Sequence, residues 1–419
     1  MKQHYHKIKE GLSRNKTLVQ NFSYLSALQI FNLLLPLITY PYLIRVLGKE
    51  TYGLVVFAQA IIGYLVILVG FGFNISATKE ISIHRDDKKK VSEIVSGVII
   101  LKSGLFILSF LILGILLFYI PQAKGYEPLF ILCMWACLYD VIFPMWYFQG
   151  IEQMKYITYI TLVSRFVSIG LIFVLIHAPE DYLFLPIVNG IGAIVAGVIS
   201  LVIVFGPRGV KFHFCSYTIL KRLLLDSVPI FVSNVSIRLY VSTNKVIVGA
   251  FLGMAEVAYY DMGEKVTNLL KIPQSMLSQT LFPKINKDKN IEFVKKAFRL
   301  SIILNIGLMI GTILFSKYIV IILGGQQMMN AIWVLNILVL TIPVIAMSNI
   351  FGIQLLIPFG YSKRFSQIIL SSGMIYLLQF AILWLFNLIT IYSMSIITVT
   401  TELFVTLIMY QHCKRYKLW

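Results

Sequence analysis

Residues 94–119 read IVSGVIILKSGLFILSFLILGILLFY, an apolar run broken by a single charge, Lys102. At about 1.5 Å of rise per residue, a helix of this length crosses the roughly 30 Å hydrocarbon layer of a bilayer. A core helix of a water-soluble domain rarely needs so long a run, so the stretch reads as a membrane span.

Working outward, runs of comparable length fall near 20–46, 52–75, 129–150, 156–177 and 182–205. Six more fall near 227–252, 256–281, 298–322, 331–353, 366–388 and 391–411. Bulk composition agrees. Hydrophobic residues make up 58% of the chain and charged residues 13%, against about 45–50% and 25% in soluble domains. The expected fold is an all-α polytopic membrane protein of about twelve spans.

The net charge of +18 does not point to nucleic acid, because the basic residues cluster in short segments between the spans. Twenty-six of the 36 Lys and Arg residues lie in 1–17, 76–93, 151–155, 206–226, 282–299, 354–365 and 412–419. The alternate loops hold Lys49 and Lys124. By the positive-inside rule this places both termini in the cytoplasm. The first apolar run is too long for a signal-peptide core and has no small-residue cleavage site, so it reads as a retained span. The four cysteines form no CxxC, and neither a disulfide framework nor a metal site is expected.

The stretch Arg45-Val46-Leu47-Gly48-Lys49-Glu50-Thr51-Tyr52-Gly53, shifted by 205 positions, meets Ala250-Phe251-Leu252-Gly253-Met254-Ala255-Glu256-Val257-Ala258, sharing Leu-Gly and setting small Ala258 where Gly53 stands. The same shift lays the basic loop at Lys79 on that at Lys284. Two six-helix lobes related by a pseudo-two-fold along the membrane normal follow, a plan common among transporters. The expected organisation is a basic tail (1–17), an N-terminal lobe (18–205), a linker (206–226), a C-terminal lobe (227–411) and a tail (412–419).

Ionisable residues within spans are costly and mark pathways or partners. The basic ones are Arg45, Lys102, Arg165, Arg238, Lys245, Lys265, Lys271 and Lys317; the acidic ones are Asp140, Asp261, Glu264 and Glu402. Arg45 and Lys317 lie near span ends, where long side chains reach the interface. Arg165 and Asp140 lie near mid-span, either as an ion pair or as substrate contacts. Spans seven and eight hold the densest group: Lys245 and Asp261 at similar depth, Asp261 and Lys265 on one helix face, and Lys271 deeper. Arg238, Lys245, Lys265, Lys271, Arg165 and Lys102 are candidates to bind an anionic substrate; Asp261, Glu264, Asp140 and Glu402 are candidates for ion coupling or gating. A structural ion-pair network would use the same residues. Pro36, Pro41 and Pro273 are expected to disturb their helices. Asn32, Asn74, Asn189, Asn234, Asn244, Asn268, Asn305 and Asn349 suit either sugar hydroxyls or bonding between helices. The sequence has no Walker motif, no HExxH and no GxSxG, so no catalytic residue and no cofactor is expected.

Asn21-Phe22-Ser23-Tyr24-Leu25, then Pro36 to Gly48 and Tyr52-Gly53, resemble the opening of polysaccharide-biosynthesis flippases, the Wzx-type repeat-unit transporters of the MATE-like (MOP) superfamily. Lys271-Ile272-Pro273-Gln274-Ser275-Met276-Leu277 and Leu281-Phe282-Pro283-Lys284-Ile285 resemble their second recurrent block. The resemblance implies a V-shaped pair of bundles around a cationic cavity. It implies transfer of an undecaprenyl-diphosphate-linked oligosaccharide across the bacterial inner membrane, coupled to protons or Na+. Polysaccharide polymerase and chain-length regulator proteins are the protein partners it suggests. Two other readings share the composition. A MATE-type drug antiporter predicts an acid-dominated cavity, whereas bases outnumber acids in these spans by eight to four. A membrane-embedded polymerase or glycosyltransferase calls for a sizeable outer loop, and every loop is short.

Overall fold

The structure is a computed structural model. It describes the backbone of residues 2–419 and the side chains of 20–419, except 22, 25, 26, 30, 33, 236, 237 and 239–241. The side chains of the basic segment 1–17, and those of Phe22 and Leu25, therefore lie outside the described residues. No strand occurs among the described residues.

The chain divides into two compact units, residues 1–42 with 61–235 and residues 43–60 with 236–419. The turn between the first two predicted spans thus belongs with C-terminal residues. Helix α1 (Lys2–Gly70) runs through that turn, interrupted at Gly48, whose φ of 74° and ψ of 166° fall in a region essentially reserved for glycine. Gly253, 205 positions later, has φ 112° and ψ 173°. The shared Leu-Gly of the sequence repeat therefore corresponds to a shared backbone break. Pro36 and Pro41 lie inside α1 without ending it.

In the first unit, α2 (Phe73–His84) and α3 (Lys88–Tyr119) follow. Asp87 caps α3, accepting hydrogen bonds from the amides of Lys89 and Lys90 at 3.0 and 3.1 Å. Those bonds hold its carboxyl below the ordinary aspartate pKa. The expected span 129–150 is built from three short helices: α4 (Glu127–Cys133), α5 (Trp135–Ile142) and α6 (Met145–Gly150). Cys133 and Cys137, both buried, consequently belong to different helices. Then come α7 (Met154–Leu175) and α8 (Phe184–Phe205). Buried Gly190, Ala193, Gly197 and Ser200 lie along one face of α8. This small-residue stripe admits the Trp135 ring and Ile142 of α5, close helix approach being the usual source of packing energy in lipid. From α7, the Ser164 hydroxyl donates to the Gly192 carbonyl at 2.7 Å.

In the second unit, α9 (Tyr217–Phe251, its C-terminal part), α10 (Met254–Leu270) and α11 (Ile272–Asp288) lead into the long α12 (Ile291–Gly324). The predicted eighth span is two helices, broken at Lys271, with Pro273 in the first turn of α11. There its missing N–H costs nothing. Next come α13 (Ala331–Leu338), α14 (Thr341–Ser348) and a π-helical stretch, Asn349–Leu356. The last helices are α15 (Ser362–Leu385) and α16 (Ile391–Arg415). Buried amides tie these helices: Gln274 accepts from Ser301 at 2.6 Å and from Asn305 at 2.9 Å, and Gln354 donates to Ser278 at 2.8 Å.

Nine helical segments among the described residues are long and apolar enough to cross a membrane; one, Ala27–His84, holds two of the expected spans. Helix α10, with Glu256, Asp261, Glu264 and Lys265 in 17 residues, is not among them. On α3, Ile107, Leu111, Ile115 and Phe118 face outward, and on α12 so do Ile303, Leu314, Phe315 and Ile322. Helices whose exposed side chains are this apolar have lipid as their solvent. The chain is a multi-pass α-helical membrane protein.

Candidate functional site

The second unit gathers four of the expected charges into one cluster. Helix periodicity sets Asp261 and Lys265 on one face of α10, with the Lys265 Nζ 2.5 Å from Asp261 Oδ2. From α9, Lys245 Nζ lies 2.8 Å from Asp261 Oδ1 and 2.6 Å from Glu264 Oε2. The Tyr52 hydroxyl donates to Asp261 Oδ2 at 3.0 Å and receives a bond from Lys265. Asp261 is only 2% exposed, while Lys265 keeps 38% of its side chain accessible. Two lysines against two carboxylates leave the cluster neutral. A carboxylate so deeply buried is tolerated because both oxygens are partnered.

Just beyond this cluster, residues 44–53 are fastened to α10 and the turn after α12. A Cβ on Gly53 would sit 1.8 Å from the Met254 carbonyl oxygen, so only glycine permits this approach. Glu50 accepts from the Ala255 amide at 3.1 Å, at the helix end where negative charge is favoured. Lys49 donates to the Tyr259 hydroxyl at 2.9 Å, a bond that raises its pKa above the ordinary lysine value. Gln327 reaches the Ile44 carbonyl at 2.9 Å, and Arg45 donates to that of Ile322.

A polar knot lies beside the charges. Asn244, next to Lys245, donates to the Tyr260 hydroxyl at 2.6 Å and to Thr398 Oγ1 at 2.7 Å. It accepts from the Tyr376 hydroxyl at 2.5 Å. One turn further along α16, Glu402 lies within electrostatic reach of Lys271.

The other candidates fall elsewhere. Lys271 donates to the side-chain Oδ1 of Asn268 at 3.5 Å. Arg238 donates to Ser242 on its own helix at 2.9 Å. Neither forms an ion pair among the described residues. In the first unit Lys102, 1% exposed, pairs with Asp140 at 2.8 Å and also donates to its backbone carbonyl at 2.9 Å. The ion-pair partner of Asp140 is Lys102 rather than Arg165, because α3 packs directly on α5. Arg165 has no ion pair among the described residues. Tyr52, Tyr260, Tyr376 and Thr398 were not foreseen as partners. Only Tyr52 carried a signal, its place beside Gly53 in the quoted N-terminal motif.

The family described as Polysaccharide biosynthesis protein matches residues 18–287. A protein of Escherichia coli (strain K12) named "Putative O-antigen transporter" is 29% identical over 417 residues, covering 97% of this chain and 99% of its own. One of the same name from Shigella dysenteriae is 26% identical, covering 91% and 96%. Among solved structures, the lipid II flippase MurJ in an inward closed conformation superposes with a TM-score of 0.74 at 14% identity, covering 93% of this chain and 87% of its own. An inward-facing MATE-family multidrug transporter of the MOP superfamily gives 0.71 at 14%, covering 92% and 94%. The fold is thus the one these two transporters share, and the chain belongs to the polysaccharide biosynthesis protein family.

Proposed function

We propose that the chain is a flippase. It moves undecaprenyl-diphosphate-linked oligosaccharide repeat units, precursors of O-antigen, capsule or exopolysaccharide, from the cytoplasmic to the periplasmic leaflet. It resides in the bacterial inner membrane with both termini in the cytoplasm, and it works by alternating access coupled to a proton or Na+ gradient. The names of the relatives that match over nearly their whole length support this reading.

The observation that carries it is the charge inventory of the second unit. A diphosphate leaves water only toward compensating positive charge. Lys245 and Lys265 are consumed by Asp261 and Glu264, so the charge left for the head group comes from Arg238 and, beside Glu402, from Lys271. Asn244, Thr398 and the tyrosines around them offer hydroxyls and amides to the sugars. Asp261, Glu264 and Glu402 are the groups a coupling cation would engage, and Arg165, Lys102 and Asp140 are secondary candidates along the path.

Reconstituted proteoliposomes carrying a fluorescent undecaprenyl-diphosphate oligosaccharide, read with a membrane-impermeant quencher, test the function. Protein-dependent transfer between leaflets, faster under an imposed ion gradient, is the expected result. Absence of transfer, together with gradient-driven efflux of a cationic dye, would replace this reading with the drug antiporter.

A further inference from the structure

A second basic site lies in the first unit, at the ends of helices remote in sequence from the cluster above. Arg85, Asp86, Lys88, Val91, Tyr147, Ile151 and the loop Arg208-Gly209-Val210 enclose a cavity of about 270 Å³. Buried Val91, Tyr147 and Val210 line it, while Arg85, Lys88 and Arg208 bring positive charge to its edge. Arg208 is held in place: it bonds Gln153 and lies over the Tyr156 ring, 5.3 Å from its centroid. Arg85 already pairs with Glu152 at 3.3 Å, and Asp86 adds a second acid, so the pocket keeps one net positive charge. The Tyr147 side chain is 3% exposed and has no hydrogen-bond partner among the described residues. Its hydroxyl is a donor left over for whatever fills the cavity.

The adjoining chain fixes the depth of this pocket. Residues 211–215 run extended along α3: the amides of Lys211 and His213 donate to Ser92 and Ser96, each at 3.1 Å. The serines are four apart on a helix face and the amides two apart on an extended segment, so the intervening Phe212 and Phe214 are turned away. Phe214 is 88% exposed and Tyr217 77%. Exposed aromatics of this kind settle at the headgroup level of a bilayer. The pocket begins two residues before Phe212, between segments 76–93 and 206–226, both read as cytoplasmic from their basic content.

We propose that this pocket holds the phosphodiester headgroup of an anionic lipid of the inner leaflet. Arg208, Lys88 and the Tyr147 hydroxyl would grip the phosphate while Phe212, Phe214 and Tyr217 anchor the segment at the headgroup level beside it. Basic pockets between spans on this side of the membrane suit such headgroups. The volume is somewhat below the roughly 300–1,000 Å³ of sites for drug-sized ligands, which suits a headgroup better than an oligosaccharide.

The test uses the full chain, delipidated in a neutral detergent and titrated with phosphatidylglycerol, phosphatidylcholine or inorganic phosphate, with bound lipid counted by native mass spectrometry. Phosphatidylglycerol should be retained over phosphatidylcholine. Its affinity should fall about fivefold in Lys88→Gln and about thirtyfold in Lys88→Gln with Arg208→Gln. Lys287→Gln, a basic-loop change in the other unit, should leave it unaltered. The double variant must also remain monodisperse with native tryptophan fluorescence. Equal retention of the two lipids, or undiminished phosphatidylglycerol binding in a folded double variant, overturns the proposal. Inorganic phosphate that competes at equal concentration also overturns it, assigning the pocket to a soluble anion instead.

Discussion

Lys102 in the first unit gives its ammonium to one residue, Asp140, through both carboxylate and backbone carbonyl. In the second unit Lys245 divides itself between Asp261 and Glu264, and Asp261 divides itself between two lysines and Tyr52. The first arrangement is closed, with a lysine 1% exposed and a single acid. The second has more acceptors than any one donor needs, and one member, Lys265, remains 38% open. A closed pair can only be made or broken. A shared cluster can exchange partners without stranding a charge, which is what a site that changes state or releases an ion requires. Lys102–Asp140 joins α3 to α5, and on the function proposed above the shared cluster of α9 and α10 is the better placed of the two to change partners.

Breaking the closed pair gives the largest expected effect. Lys102→Met should cost roughly 3–5 kcal/mol in denaturant unfolding in micelles, because Asp140 is left charged and alone. Adding Asp140→Leu should recover most of that loss, as replacing both members by apolar groups is often neutral. If the double variant is as unstable as the single one, the strut account of this pair fails.

Asp261→Asn should cost less, about 2 kcal/mol, since Lys245 keeps Glu264 and Lys265 can turn to water. A loss as large as that of Lys102→Met would erase the contrast between the units. Smallest is Glu264→Gln, about 1 kcal/mol or less by the same unfolding measurement, because Lys245 retains Asp261. An effect larger than that of Asp261→Asn would reverse the order of the two acceptors and make Glu264 the anchor of the cluster.

Most of the spans, and the turns at Gly48 and Gly253, were legible in the sequence because each is written in local composition; the runs 227–252 and 256–281 are not among the long apolar segments of the described residues. The depth match of Lys245 with Asp261 followed from counting residues out from the turn between their spans, and the shared face of Asp261 and Lys265 from helix periodicity. The sequence did not disclose which charges cancel. Counting bases and acids gives a total, whereas the choice of Lys102 over Arg165 for Asp140 depends on which helix packs against α5. Tyr52 reaches Asp261 across 209 positions, through an approach set by the missing side chain of Gly53. The π-helical stretch at Asn349–Leu356 and the division of the 129–150 run into three helices have no strong local signal either. Only Pro144 hints at the second of these.

The most direct test of the account compares lipid-linked oligosaccharide transfer by wild type and by Arg238→Gln with Lys271→Gln, measuring thermal stability on the same preparations. Stability within about 0.5 kcal/mol of wild type is expected for Arg238→Gln, whose bond among the described residues is to Ser242 of its own helix. Transfer should be lowered at least about tenfold in the double variant, the loss of one charge-assisted contact being worth roughly 1.5–3 kcal/mol. Wild-type transfer from a stable double variant would contradict the account, and would place the diphosphate on charges other than these two.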